Sequence, residues 1–275
     1  ECKYVIEGEA EIGGQEQLYL ETQNCIVEPV DGDQLRVISS TQAPSTNQVQ
    51  VAKANNMKFA DVAVEVRQIG GGFGGKETQA TMHSNVASVA VRKLRRPVRI
   101  SIDRKTDLEI TGKRHPILCK YKVGFNDDGK IISLRSDLYA DCGWSVDISI
   151  AVTDRALFHM DGSYSIPNFC TECHMCKTNL PSNTAFRGFG APQAAFFADE
   201  IIDQIAHKLN KTPEQIKEIN LYKEGDTTHF GAPLIDNKLG QCWDYIKSSF
   251  DFDKKRQEIA EFNRNNKYKK RGIAM

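Results

Sequence analysis

The sequence predicts an α+β (mixed α/β) fold. Apolar residues alternate with polar ones in short runs such as DVAVEVRQI, and longer runs such as Ala194 to Leu209 repeat at helical spacing instead. The two kinds are interleaved along the chain, so neither is confined to one end. The 275 residues suffice for one large or two modest domains.

The first 40 residues read as strands, with CIVEPV and QLRVISS flanking Asp31-Gly32-Asp33 as a hairpin. A short helix is expected over Ser45 to Asn55. In DVAVEVRQI, Val62, Val64 and Val66 alternate with Ala63, Glu65 and Arg67, as in a half-buried strand. The glycine-rich run Gly70 to Glu77 follows. After it, Val86, Val89, Ala90 and Leu94 recur at helical spacing, and Arg92, Lys93, Arg95 and Arg96 close that helix before Pro97. VRISID, CKYKVGF and KIISLRSDLYA are strands, the last two joined by the turn Asn126 to Gly129. Pro192 stands just ahead of the helix Ala194 to Leu209. Thr212-Pro213-Glu214-Gln215 is a capping box that opens another helix, and Lys254 to Asn263 is a polar helix with a solvated face. Repeats, low-complexity segments and long linkers are absent from the sequence.

Lys+Arg and Asp+Glu both number 36, which argues against a nucleic-acid or anionic-membrane partner, because both require a basic excess. No apolar run approaches the roughly 18 residues of a membrane span. The chain starts at Glu1 and ends on the strand-like Gly-Ile-Ala-Met, so a piece of a longer polypeptide is expected. Eight cysteines without an export signal imply reduced thiols in a cytoplasmic protein, with peroxisomal residence as the alternative.

Three segments carry candidate chemistry. GGGFGGKE places Gly70, Gly75 and Lys76 in register with a nucleotide phosphate loop, and Gly70, Gly72 and Gly75 in register with a dinucleotide loop. Both patterns bring backbone N–H groups to an anion at a helix start. Glu77, however, occupies the place of the magnesium-binding hydroxyl, where a carboxylate would repel phosphates. A tight turn with a helix-start carboxylate is the plain structural reading. SNTAFRGFGAPQ puts Arg187 between Phe186 and Phe189 on a glycine-broken loop, able to grip an anion and stack on a planar ligand, or to form a packed turn. CTECHMCKTNLP spaces Cys170, Cys173 and Cys176 as C-x2-C-x2-C, but Leu180 stands where a fourth iron–sulfur cysteine belongs. In a strand, Cys173 would also face away from the other two. The remaining histidines show no ligand spacing.

IGGGFGGKE, ITGKRHP, TDRALFHMD, KTNLPSNTAFRGFGAPQ and YKEGDTTHF together resemble the molybdenum-cofactor domain of the xanthine dehydrogenase family, in register from Gly13 to Met275. The resemblance implies the N-terminal part of that domain, with residues 1–245 as a first molybdopterin-binding subdomain and 246–275 as the start of a second. It implies a molybdenum–molybdopterin cofactor beside Gln42, Gly72, Phe73, Gly74 and Arg187, of which Gln42, Phe73 and Arg187 would lie in the metal's environment. Glu77 and Arg155 match the catalytic charged pair that grips a purine, Phe189 a stacking ring and Ile148 a pocket wall.

The implied activity is hydroxylation of hypoxanthine to xanthine and of xanthine to urate, with water as oxygen source. Electrons would pass through 2Fe-2S clusters and FAD to NAD or oxygen, the clusters and flavin lying in other domains of the same polypeptide, usually a homodimer. A fixed cation beside a ring that gains negative charge is the expected source of stabilisation. Related aldehyde oxidases lack the charged pair, so its presence favours a purine. Ala43, Thr46, Asp154 and Ala191 depart from the family's usual residues, the first two at the expected pocket rim. An aldehyde oxidase, a nucleotide binder through the glycine loop and a non-catalytic paralogue remain as alternatives.

Overall fold

The computed structural model describes residues 2–275. In chain order the first half comprises β1 (Tyr4–Ile12), β2 (Asn24–Val30), β3 (Gln34–Ser39), α1 (Pro44–Ala54), β4 (Val62–Glu65), α2 (Ala80–Leu94), β5 (Val98–Ser101) and α3 (Arg104–Ile110). The second half comprises β6 (Ile117–Phe125), β7 (Ile131–Gly143), α4 (Ser149–Phe158), β8 (Asn168–Lys177), α5 (Ala191–Leu209), α6 (Pro213–Asn220), α7 (Leu239–Ser249) and α8 (Phe252–Asn265). Strands and helices are mixed as the sequence predicts.

Two sheets form, one ordered β1-β6-β7-β8 and the other β4-β3-β2-β5. In the first, β1, β6 and β7 are antiparallel, and β8 joins β7 in parallel with Leu138 opposite Cys173. A parallel pair needs a crossover, and α4 lies within it. Ile117, Val123, Phe125, Leu134 and Leu138 of this sheet pack with Phe197, Ile201, Ile202 and Ile205 of α5. The second core joins Val27, Val37 and Val62 to Val51 and Ala52 of α1 and to Ala87 and Val91 of α2.

The local signals hold. β2 and β3 pair antiparallel across Asp31–Asp33, which forms a one-turn 3-10 helix with Gly32 at φ 70°. The Thr212 hydroxyl accepts from the Gln215 amide at 3.3 Å, and the Gln215 side chain accepts from the Thr212 amide at 2.9 Å. Cys173 packs against the core from β8 while Cys170 is exposed, as strand alternation requires.

Other expectations change. Residues 13–23 are irregular, not strand. α5 begins at Ala191, with Pro192 inside its first turn. α4 went unseen because Ile150, Val152 and Thr153 are β-branched; within the helix the Thr153 hydroxyl bonds back to the Ser149 carbonyl at 3.0 Å. α2 presents Val86, Val89 and Leu94 to the surface and buries Ala80, Ser84, Ala87, Ser88 and Val91. Small side chains let it approach α1 and β3, where Asn47 donates to Ser39 at 3.2 Å and to Ser84 at 3.1 Å. α7 is a further helix that the sequence reading did not identify, and Glu218 of α6 accepts from its Trp243 and Lys247.

Candidate active site

The glycine loop is tied from behind. The Gln42 side-chain oxygen accepts from the amides of Gly74 at 2.8 Å and Lys76 at 3.3 Å, and the Gln42 amide donates to the Lys76 carbonyl at 2.8 Å. With its oxygen committed to the loop, Gln42 keeps its Nε2 donors for a ligand. Gly72 is buried against this glutamine side chain.

Lys76 overturns the nucleotide-loop reading. Its side chain is fully buried and its Nζ donates inward, to Glu21 at 3.1 Å and Ser40 at 2.8 Å, 4.7 Å above the Tyr19 ring. A phosphate-loop lysine must reach its phosphates. Burial draws the Lys76 ammonium down from its ordinary value, opposed by the Glu21 carboxylate. Burial also works against Glu21 ionisation, but donors from Ser40, the Gly70 amide, Asn24 and Lys76 outweigh it and hold Glu21 at about 2. The pair therefore stays ionised and anchors both ends of the loop.

The arginine loop lies directly against the glycine loop. The Arg187 amide donates to the Phe73 carbonyl at 2.9 Å. A Cβ at Gly74 would come within 2.6 Å of the Ala185 carbonyl oxygen, so only glycine permits this approach. Phe73 and Phe189 both adopt φ 52°, followed by Gly74 at 101° and Gly190 at 95°. A left-handed backbone at a bulky residue costs about 1–2 kcal/mol and marks a site held in place by its surroundings. Arg114 supports the second loop. Its buried guanidinium stacks 4.1 Å from the Phe186 ring and donates to the Arg187 carbonyl at 2.8 Å and to Gln15 at 2.7 Å. Its Nη1 is buried without a partner, and no carboxylate pairs with it among the described residues.

Ile148 and Arg155 belong to a third segment. Ile148 is the half-buried N-cap of α4, and Arg155 is exposed on its last turns. A Cβ at Gly190 would strike the Val152 carbonyl, so the arginine loop packs on this helix. The Thr78 hydroxyl reaches the Asp147 carboxylate at 3.0 Å, joining the glycine loop to the residue before Ile148.

The structure thus gathers Gln42, Gly72, Phe73, Gly74, Glu77, Ile148, Arg155, Arg187 and Phe189 onto directly linked segments. The side chains of half-buried Glu77 and exposed Arg155 and Arg187 have no partner among the described residues. A cleft of about 620 Å³ is lined by Thr46, Thr78, Gln79, Met82, Trp144 and Asp147 among others, and meets the glycine-loop segment at Thr78. Thr46 was expected at a rim, whereas Glu77, Arg155 and Phe189 are not in this lining. Sequence reasoning missed Glu21, Arg114, Thr78 and Asp147. Arg114 left a trace inside ITGKRHP and Glu21 inside GGQEQLYLET, at the start of the matching register.

Residues 1–221 match a family model described as molybdopterin cofactor-binding domain. The whole chain is 46% identical to a xanthine dehydrogenase of Oryza sativa subsp. japonica and 45% identical to a xanthine dehydrogenase/oxidase of Gallus gallus, and it spans 20% of each. The chain thus covers about a fifth of the length of these curated relatives. Among solved structures, it superposes on quinoline 2-oxidoreductase from Pseudomonas putida 86 with a TM-score of 0.86 at 22% identity, covering 97% of this chain and 35% of that one. That likeness shows the fold alone. An aldehyde oxidoreductase from Desulfovibrio desulfuricans ATCC 27774 superposes with a TM-score of 0.84 at 26% identity, covering 94% of this chain and 28% of that one.

Proposed function

The chain belongs to the molybdopterin cofactor-binding domain family, and on that footing we propose that it forms part of the molybdenum site of a purine-hydroxylating oxidoreductase. The residues present fit an anionic cofactor. The buried Arg114 cation has no carboxylate to neutralise it, the Gln42 Nε2 donors and the Arg187 guanidinium are free, and two glycine loops bring backbone close together. Gln42, Gly72, Phe73, Gly74 and Arg187 would hold it. When bound, the cofactor supplies the two-electron oxidation centre.

The observation that carries the substrate is the pair of opposite charges left without protein partners, Glu77 on the glycine loop and Arg155 on α4. A purine offers hydrogen-bonding groups on both edges and a flat apolar face. Arg155 stabilises negative charge that grows on the ring during hydroxylation, Glu77 holds the opposite edge, and Phe189 and Ile148 supply the apolar walls. The likeness to xanthine dehydrogenases supports hypoxanthine and xanthine as substrates. The remaining parts of this reading are 2Fe-2S clusters and FAD in other domains, NAD or oxygen as acceptor, a cytoplasmic homodimer, and residues 246–275 opening a second molybdopterin-binding subdomain.

The test is Glu77→Ala and Arg155→Met in the full-length protein. Each is expected to cut xanthine turnover about 100-fold, the scale of a lost transition-state contact, with molybdenum content near wild type. Parallel loss of metal would make them structural, and faster turnover of aromatic aldehydes than of purines by the unaltered protein would favour an aldehyde oxidase.

A further inference from the structure

We infer that Thr78 and Asp147 are positioning residues that set the spacing between Glu77 and Arg155, an inference that rests on the purine reading above. The hydrogen-bond directions follow from chemistry. The Thr78 hydroxyl donates to the Asp147 Oδ2 at 3.0 Å, which commits its single proton. The contact at 3.2 Å between Thr78 and Thr184 hydroxyls must then run from Thr184 to Thr78. The chain Thr184→Thr78→Asp147 joins all three site segments: Thr184 precedes the arginine loop, Thr78 adjoins Glu77, and Asp147 adjoins Ile148 about two helical turns before Arg155. Gln79 Nε2 adds a donor to the same Asp147 oxygen at 3.4 Å.

Two observations separate this from an ordinary surface hydrogen bond. Thr184 is fully buried, so the chain is rooted in the interior. α4 also starts without a side-chain cap of its own, and Asp147 holds a left-handed φ of 43° immediately before it. The Thr78 bond ties the entry of the helix that carries Arg155 to the glycine-loop segment, while the buried His115–Ser149 contact at 2.7 Å and the Ser145–Ser182 contact at 2.7 Å hold the same entry to other parts of the chain.

The experiment compares Thr78→Val, Thr78→Ser, Asp147→Gly and Asp147→Asn in the full-length protein, with Glu77→Ala and Arg155→Met alongside. Thr78→Val, which keeps the shape and loses the hydroxyl, is expected to lower kcat/KM for xanthine at least about tenfold, within the range that small misplacements cost. Molybdenum content and turnover of an aromatic aldehyde, which does not use the charged pair, stay near wild type. Thr78→Ser restores xanthine turnover. Asp147→Gly relieves the backbone but removes the acceptor, so it behaves as Thr78→Val does, and Asp147→Asn retains an acceptor and is milder. Wild-type xanthine kinetics in Thr78→Val and Asp147→Gly, or equal losses on xanthine and aldehyde, would overturn the inference. If Glu77→Ala and Arg155→Met also leave purine turnover intact, the purine reading fails as well. If those two abolish it while Thr78→Val does not, only the positioning role fails.

Discussion

The backbone amide of Arg187 donates to the carbonyl oxygen of Phe73 at 2.9 Å, and this bond joins two loops of the same local shape. Each has a phenylalanine at φ 52° followed by a glycine near 100°. The direction of the Arg187 side chain is thereby referred to the glycine loop. Gly74→Ala would force a Cβ against the Ala185 carbonyl at a φ of 101°. A stability loss of about 2–3 kcal/mol is expected, measured by denaturant unfolding, because strain and overpacking act together. Full wild-type stability would show that the loops part without cost.

The pair of fully buried Lys76 and half-buried Glu21 predicts an acid-labile loop. The Glu21 value of about 2 lies below its ordinary 4.5, so the ionised carboxylate stabilises the folded chain at neutral pH. That contribution is complete above about 4.5 and is lost as pH falls towards 2. Glu21→Gln leaves the fully buried Lys76 ammonium without its counter-charge; because the Glu21 side chain is 33% exposed and screened by solvent, the expected cost is about 1–3 kcal/mol at pH 7. Stability curves at pH 7, 4 and 3 should converge for the two proteins as the pH drops.

Cysteine alkylation offers a third check. Burial pushes the Cys173 thiol up to about 12, with the neighbouring Cys142 and Cys176 sulfurs and then Asp154 adding to the shift. Cys170 is exposed on the opposite face of the same strand. Iodoacetamide at pH 8 should modify Cys170 rapidly and leave Cys173 untouched in the folded chain, as read by peptide mass spectrometry. Equal rates would mean that β8 does not hold its register.

The inverted face of α2 is tested by two substitutions. Ala87 is fully buried against β2, so Ala87→Leu should destabilise the chain by about 1–3 kcal/mol. Val86 is 60% exposed, so Val86→Ser should change stability by no more than about 0.5 kcal/mol. A helix oriented by its apolar stripe would give the reverse order in a thermal melt.

These cases show what the sequence makes legible. The Thr212 capping box and the Asp31–Asp33 turn are local, because every partner lies within a few residues, and both formed as read. Phe73, Glu77 and Arg187 stand in long distinctive runs and fell on linked segments. The direction of Lys76 was not legible, since Gly-Lys reads the same whether the ammonium faces a ligand or Glu21, 55 residues away. The Thr78–Asp147 bond spans 69 residues and leaves no pattern at either end. α2 misled because its tight seat selects Ala and Ser, which helical apolar spacing does not count.

The internal bracing of the glycine loop also bears on the order of assembly. Gln42, Glu21, Lys76 and the Arg187 amide hold its contour with bonds made entirely within the chain. A recess shaped this way is a rigid mould before anything is cast in it, so the conformational entropy of the loop is already spent when a guest arrives.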